Sequence, residues 1–290
     1  MRQVISVSRR TDIPAHYLDW LIARVGEGEV CVANPFNPAQ RRIVSLRPED
    51  VHTILFWSKD YGSLLSAIQQ FKKFANLFFH FTLNDCPELE PRIPPLSERL
   101  TQAWQLVRMF GAARLAWRFD PLLFWNGGGN SNIGSFERIA QFMAGLGVHR
   151  CIFSFAQWYN KCVRRANKYG FNYYDPPLAE KLEITDRLAR TAKKVGIAMQ
   201  SCCCDELTGV DNVEKAHCID GSLLSELAGE PCDTARDTSQ RKTCGCTRSI
   251  DIGSYDEQPC LHGCLYCYAN PVDLGRNEYG VLALDADAAG

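Results

Sequence analysis

Short apolar runs that end in polar or charged residues alternate along this chain with longer segments of helical spacing. Val4-Ile-Ser-Val-Ser8 opens the series. Arg9-Arg-Thr-Asp-Ile-Pro14 follows it, with Pro14 suited to a first helical turn and Tyr17, Leu18, Leu21, Ile22 and Val25 at helical intervals. Glu29-Val-Cys-Val-Ala33 is the next run, and Ile43-Val-Ser-Leu46 suggests a small hairpin after it. Further runs are Thr53–Trp57, Leu77–Phe81, Ala113–Trp117, Arg150–Phe155 and Ile197–Ser201, with Ser249-Ile-Asp-Ile252 as the eighth. Helices are expected over about Gly62 to Phe74, Ser97 to Phe110 and Leu178 to Val195.

Eight strands alternating with helices predict a (β/α)8 barrel of the TIM type, taken as one domain over residues 1–290 with a cysteine-rich, metal-binding segment at about 202–270. The uninterrupted apolar runs fit strands of a parallel sheet buried on both faces. A doubly wound sheet would usually show a glycine-rich turn after the first strand, and Ser8-Arg-Arg-Thr-Asp12 is not one. In a barrel the active site lies at the C-terminal ends of the strands. Arg10, Asp12, Asn34, Lys59, Asp60, Asn84, Asp85, Arg118, Asp120 and Lys161 are expected there, together with Cys202 to Asp205.

Composition narrows the picture. The net charge of -1 gives no general attraction to nucleic acid. The N-terminus lacks a signal peptide, and no apolar stretch is long enough for a membrane helix, so a cytoplasmic protein without a membrane partner is expected. Of the 14 cysteines, ten fall between Cys202 and Cys267. Disulfides are disfavoured in the cytosol, so clustered cysteines there point to metal or catalysis.

The sharpest feature is Cys260-Leu-His-Gly-Cys264-Leu-Tyr-Cys267. Three thiolates on one loop can hold three irons of a four-iron cluster and leave the fourth open. A closed zinc site wants four ligands, often as two C-x2-C pairs, so the 3-then-2 spacing suits zinc less well. His262 is expected to support the loop rather than ligate, and His80 to sit in the core.

This loop resembles the cluster-binding motif of radical S-adenosylmethionine (SAM) enzymes, particularly the branch that includes spore photoproduct lyases. The resemblance implies a [4Fe-4S] cluster on Cys260, Cys264 and Cys267 whose open iron binds SAM for reductive cleavage. It also implies Tyr266 against the adenine, an electron donor such as a ferredoxin or flavodoxin, and a substrate it does not name. In that class the loop follows the first barrel strand. Here it follows the last, as a circular permutation by one β/α unit would give. A Gly-Gly-Glu segment, which often holds the methionine amine, has no counterpart; Gly127-Gly-Gly-Asn130 reads as a loop.

The whole chain is similar to the family catalogued as domain of unknown function 1848. Ser8-x-Arg10-Thr-Asp-Ile-Pro14, Trp117-Arg-Phe-Asp-Pro121, Cys218-Ile-Asp220, Gln240-Arg241, Cys244-x-Cys246, Ser249-x-Asp-Ile-Gly253 and the terminal cysteines carry that likeness.

Cys218, Cys244 and Cys246 with one of Cys202 to Cys204, Cys204 being our choice, could make a further four-thiolate site for a second iron–sulfur cluster or zinc. Arg10/Asp12 and Arg118/Asp120 are candidate catalytic pairs, since an arginine can hold a carboxylate bidentately. Three readings follow: a radical SAM-like enzyme; a non-catalytic iron–sulfur or zinc metalloprotein, structural or redox-sensing; and a nucleic-acid repair or modification enzyme, which the charge does not support.

Overall fold

The computed structural model describes residues 1–35 and 37–273. Its centre is an eight-stranded sheet. In chain order the strands of the protein are β1 (Gln3–Val7), β2 (Glu29–Asn34), β3 (Asn37–Ser45), β4 (Val51–Ser58), β5 (Leu77–Thr82), β6 (Leu115–Leu122), β7 (Phe124–Trp125), β8 (Asn130–Ser131), β9 (Arg150–Phe155), β10 (Ala198–Ser201), β11 (Val213–Lys215) and β12 (Ile250–Asp251). The large sheet runs β12-β1-β4-β5-β6-β9-β10-β11 with every pair parallel. Its order is sequential except that the last strand in the chain lies beside the first.

Alternation along these strands separates two faces. Ile5, Val7, Ile54, Phe56, Phe79, Phe81, Trp117, Phe119, Cys151 and Phe153 pack outward. Most helices meet that face: α1 (Ile13–His16), α2 (Leu18–Glu27), α3 (Gly62–Ser66), α4 (Leu96–Phe110), α5 (Phe136–Gly145) and α7 (Leu178–Lys194), with buried residues such as Leu21, Leu106, Ile139 and Leu188 turned to the sheet, while α6 (Asn160–Tyr169), between α5 and α7 in the chain, bonds the cysteine loop through Cys162 and Arg165. Val4, Leu55, Phe78, Ala116 and Ile152 point to the other face. Leu224 of α8 (Gly221–Ala228), Ala216, Ile219 and four buried cysteines cover them.

The expected count of eight strands holds, but its membership differs. Glu29–Asn34 pairs antiparallel with β3 in a separate two-stranded sheet. Only Val30 and Val32 of its first five residues are buried, so it has one apolar face where the main strands have two. Its place in the large sheet is taken by Val213–Lys215. The ladder does not close: β11 and β12 are its two edges among the described residues, so a closed hydrogen-bonded barrel is not observed. The space between those edges is crossed by irregular chain, where Thr247 N–H donates to Ile219 O at 2.9 Å. The expected helix at Gly62–Phe74 is also interrupted, with α3 giving way to a 3-10 turn over Ile68–Phe71.

Candidate metal centre

The cysteine loop is positioned by β12, and β12 by one side chain. Asp251 accepts from Ser6 Oγ (2.9 Å), Ser8 Oγ (2.6 Å), the Arg9 amide (2.8 Å) and the Gly253 amide (3.1 Å). The Arg9 and Arg10 guanidinium groups stand 3.6 and 3.9 Å from its carboxylate, and Arg10 also donates to Gly253 O at 2.8 Å. A two-residue strand is thereby locked to β1. Beyond it the loop is held from several elements: Tyr17 Oη donates to Pro259 O at 2.6 Å, the Leu265 amide to Leu89 O at 2.9 Å, and Arg165 to Cys267 O at 2.7 Å.

Asp12 lies beneath the start of the loop. It caps α1 through the Ala15 amide and accepts from Ser58 Oγ, the Lys59 amide and His262 Nε2, the last at 2.8 Å. His262 packs edge-on against His16, with ring centroids 4.2 Å apart. Among the described residues, His16, Cys260 and His262 are the set whose ligand atoms all lie within 4.8 Å of one another. His262 Nδ1 and His16 Nε2 are buried without a hydrogen-bond partner. A carboxylate behind an imidazole, with the opposite ring nitrogen free, is the arrangement that orients a histidine toward a metal. Burial and the neighbouring His262 bring His16 down to about 4, with Asp12 opposing them, so its lone pair is available at neutral pH.

Cys264 faces a second buried group. Lys59 Nζ donates to Glu90 Oε1 at 2.7 Å and to Asn84 at 3.0 Å, and Tyr266 Oη donates to the same Glu90 oxygen. Glu90 Oε2 and Asn84 Nδ2 have no partner among the described residues. Burial raises all three loop thiols. Cys260 reaches about 12, helped by the charges of Cys267 and Asp12, while Cys264 rises well above its ordinary value despite Lys59. The loop therefore holds protons that a metal would displace.

A second group of sulfurs lies across the rim. Cys202 Sγ is 3.6 Å from Cys218 Sγ and 3.8 Å from Cys203 Sγ. Cys246 neighbours Cys218, and Cys244 neighbours both Cys203 and Cys246, near enough for these thiols to shift one another's protonation. The five sulfurs follow one another around a loose ring whose contacts of 3.8 Å or less, among the described residues, are the two at Cys202. Arg118 donates to Cys218 Sγ at 3.2 Å, pairs with Asp120 and lies over Trp57, 5.1 Å from the ring centre. Hydrogen bonds from Cys202 and Cys246, with Arg118 beside them, hold the Cys218 thiol well below its ordinary value in spite of burial.

The expected residues are thus distributed over the two groups. Arg118 and Asp120 do pair, but they serve the sulfur ring. Arg10 pairs with Asp251 and Gly253, so the expected Arg10/Asp12 pair is not formed. Cys204 turns to Glu206 at 3.5 Å, and Cys202 and Cys203 take the place assigned to it. Tyr266 is bound to Glu90. His16 and Glu90 carried no signal, each a lone residue of common type brought in from a distant part of the chain, whereas Asp251 was marked only by the family-like Ser249-x-Asp-Ile-Gly253 segment.

Fold and site together define a cysteine-rich α/β protein with candidate metal centres at one end of a parallel sheet. The chain belongs to the family described as Domain of unknown function (DUF1848), which it matches over residues 4–269. No curated protein matches it. Among solved structures it is similar to D-hydantoinase from Bacillus sp. AR9, at 13% identity and a TM-score of 0.32. That likeness covers 56% of this chain and only 36% of the hydantoinase.

Proposed function

We propose that the protein is an iron–sulfur enzyme of the radical SAM kind, with a [4Fe-4S] cluster on Cys260, Cys264 and Cys267. One observation carries this reading. A loop bearing three thiols within eight residues lies over the C-terminal ends of parallel strands, against buried polar groups whose hydrogen bonding is incomplete. The donor set fits: three soft thiolates suit iron–sulfur chemistry, and Lys59 and Arg165 offset their charge. When bound, such a cluster supplies the electron for reductive cleavage of SAM. The chain's own residues would do the rest. The apolar wall of Leu89, Leu123, Trp125 and Leu265 would exclude water. The strand order supports a permuted barrel, since β12 and its loop stand beside β1.

A second reading rests on the proximity of His16, Cys260 and His262: a single metal ion backed by Asp12, in a metalloprotein without a cluster. The two compete for Cys260, and other residues separate them. The chain is purified and reconstituted without oxygen, iron and sulfide are measured, and 5'-deoxyadenosine is assayed with SAM and dithionite. The cluster reading expects matched iron and sulfide, lost in Cys264→Ser and kept in His16→Ala, and SAM cleavage in the wild type. Metal without sulfide, lost in His16→Ala and kept in Cys264→Ser, would establish the second reading instead. A loop cluster that cleaves no SAM under any reductant sinks the enzyme assignment.

A further inference from the structure

We infer that Cys202 and Cys218 are a redox-active dithiol, where exchange with a small-molecule disulfide closes a reversible bond between the exits of β10 and β11. This rests on neither reading of the cysteine loop and uses none of its residues.

Three observations meet here. The first is contact. Cys202 Sγ and Cys218 Sγ are 3.6 Å apart. No three sulfurs of the ring lie within 4.8 Å of one another among the described residues, whereas the ligand atoms of His16, Cys260 and His262 do. What is gathered here is a pair of thiols and not an ion's full set of ligands.

The second is backbone. Ser201 pairs with Lys215 in parallel register, and the Ala216 amide donates to Ser201 O at 2.9 Å. The chain thus leaves β10 and β11 side by side, on strands about 4.8 Å apart. A disulfide wants Cα atoms about 4.4–6.8 Å apart and a bond of about 2.05 Å. The two exits hold the cysteines within reach of that separation. The third is chemistry. The thiolate is the nucleophile in disulfide exchange. Arg118 donates to Cys218 Sγ at 3.2 Å, and its guanidinium favours the charged sulfur. Cys218 is buried and Cys202 only half-buried, so the incoming disulfide is met at Cys202.

The exchange takes two steps. Cys202 attacks one sulfur of the small disulfide; a mixed disulfide forms, the reagent's S–S bond breaks and one thiolate leaves. Cys218 then attacks the Cys202 sulfur and expels the second thiolate. Two electrons pass from the protein to the reagent, and the two thiol protons end on the departing thiolates. Excess small thiol runs both steps backwards. Cys203 stands 3.8 Å from Cys202, but adjacent cysteines would close a small ring around a planar peptide, which resists it. The consequence is local: β11 is three residues long and pairs only with β10 among the described residues, so a bond at its exit fastens it to the sheet.

The full chain, purified without oxygen, is treated with oxidised glutathione, alkylated in denaturant and digested with trypsin. Cleavage after Lys194, Lys215 and Arg236 puts the two cysteines on separate peptides. The expected product joins peptide 195–215 to peptide 216–236, and excess reduced glutathione separates them. Joining should survive in Cys203→Ala, Cys204→Ala and Cys264→Ser, and be lost in Cys202→Ala and Cys218→Ala. Amide exchange at Val213–Lys215 should slow about tenfold on oxidation of the wild type. Should either alanine variant not fold, fragmentation of the joined wild-type peptides locates the bond. No joined peptides in the oxidised wild type overturns the inference, as does a metal that shields both thiols from the reagent. Joining that persists in Cys202→Ala, or that runs through Cys232, overturns the assignment of the pair. Exchange at β11 unchanged by oxidation overturns the fastening.

Discussion

At the scale of single residues, the Lys59–Glu90 pair is the most exacting feature of the rim. Both side chains are taken out of water, at 14% and 1% exposure. Burial works against each charge, yet each keeps it: Glu90 is held below its ordinary value by Lys59, Arg99 and Tyr266, and Lys59 above its own by Glu90 and Cys264. Glu90→Gln would leave the ammonium buried and unpaired, and should destabilise by about 3–5 kcal/mol at neutral pH in urea unfolding. The pH dependence has a definite sign. A depressed carboxyl contributes fully above its unfolded value of about 4.3 and loses that contribution as pH falls through the lower folded value. Wild type and Glu90→Gln should therefore converge in strong acid, because a protonated Glu90 neutralises Lys59 no better than Gln does. A gap unchanged from neutral pH to strong acid would show that the charge of Glu90 is not what the fold uses.

At the scale of elements, β12 shows how little backbone is needed when a side chain does the joining. Two residues pair with Ile5 and Ser6, and Asp251 gathers the rest. Gly253 then passes so close to β1 that an added Cβ would lie 2.2 Å from Ser8 Oγ and 2.6 Å from Ser8 Cβ. Gly253→Ala should cost about 1–3 kcal/mol as overpacking and lift the loop. Asp251→Asn should lose a similar amount through its charged hydrogen bonds. Hydrogen exchange at Ile250–Gly253, with metal content alongside, checks both; native exchange and full metal loading would mean the loop is held by its far contacts alone.

The same elements show what could be read in the chain. β4, β5 and β9 are apolar on both faces, and that pattern survives any context. β11 has one buried apolar residue in three, Val213, and exists because Met199, Gln200 and Ser201 offer it a partner. Nothing local marks it as a strand. Glu29–Ala33 has strand propensity, but propensity does not say which sheet a strand joins; its alternation of buried valines with Glu29 and Cys31 was the clue to a one-faced hairpin. The loop cysteines were legible because their spacing is local. Cys202 meeting Cys218 was not, because convergence belongs to the tertiary fold.

For the whole molecule, the seam decides how the two centres relate. A parallel sheet with unpaired edges exposes backbone donors and acceptors, and here the edges are β11 and β12. Asp251 ties β12 to β1 on one side. On the other, β11 pairs only with β10 among the described residues, and the cover above it is the cysteine segment with α8. If a metal bound by that segment fastens it, removing the metal should loosen one side of the molecule and spare the other. An ion present at about a thousand times its dissociation constant contributes about 4 kcal/mol, which at roughly 2–4 °C per kcal/mol lowers Tm by about 8–16 °C on stripping. Hydrogen exchange after chelation should rise first in β10, β11 and residues 216–249, while β1, β4, β5 and β6, whose outward side chains are buried in the main core, keep their protection. The loop at Cys260 to Cys267 should respond late, since its anchors run to Asp12, Leu89 and Arg165 and not to the sulfur ring. Uniform loss of protection across all eight strands would instead mean that the sheet opens as one unit, with the seam no weaker than the rest.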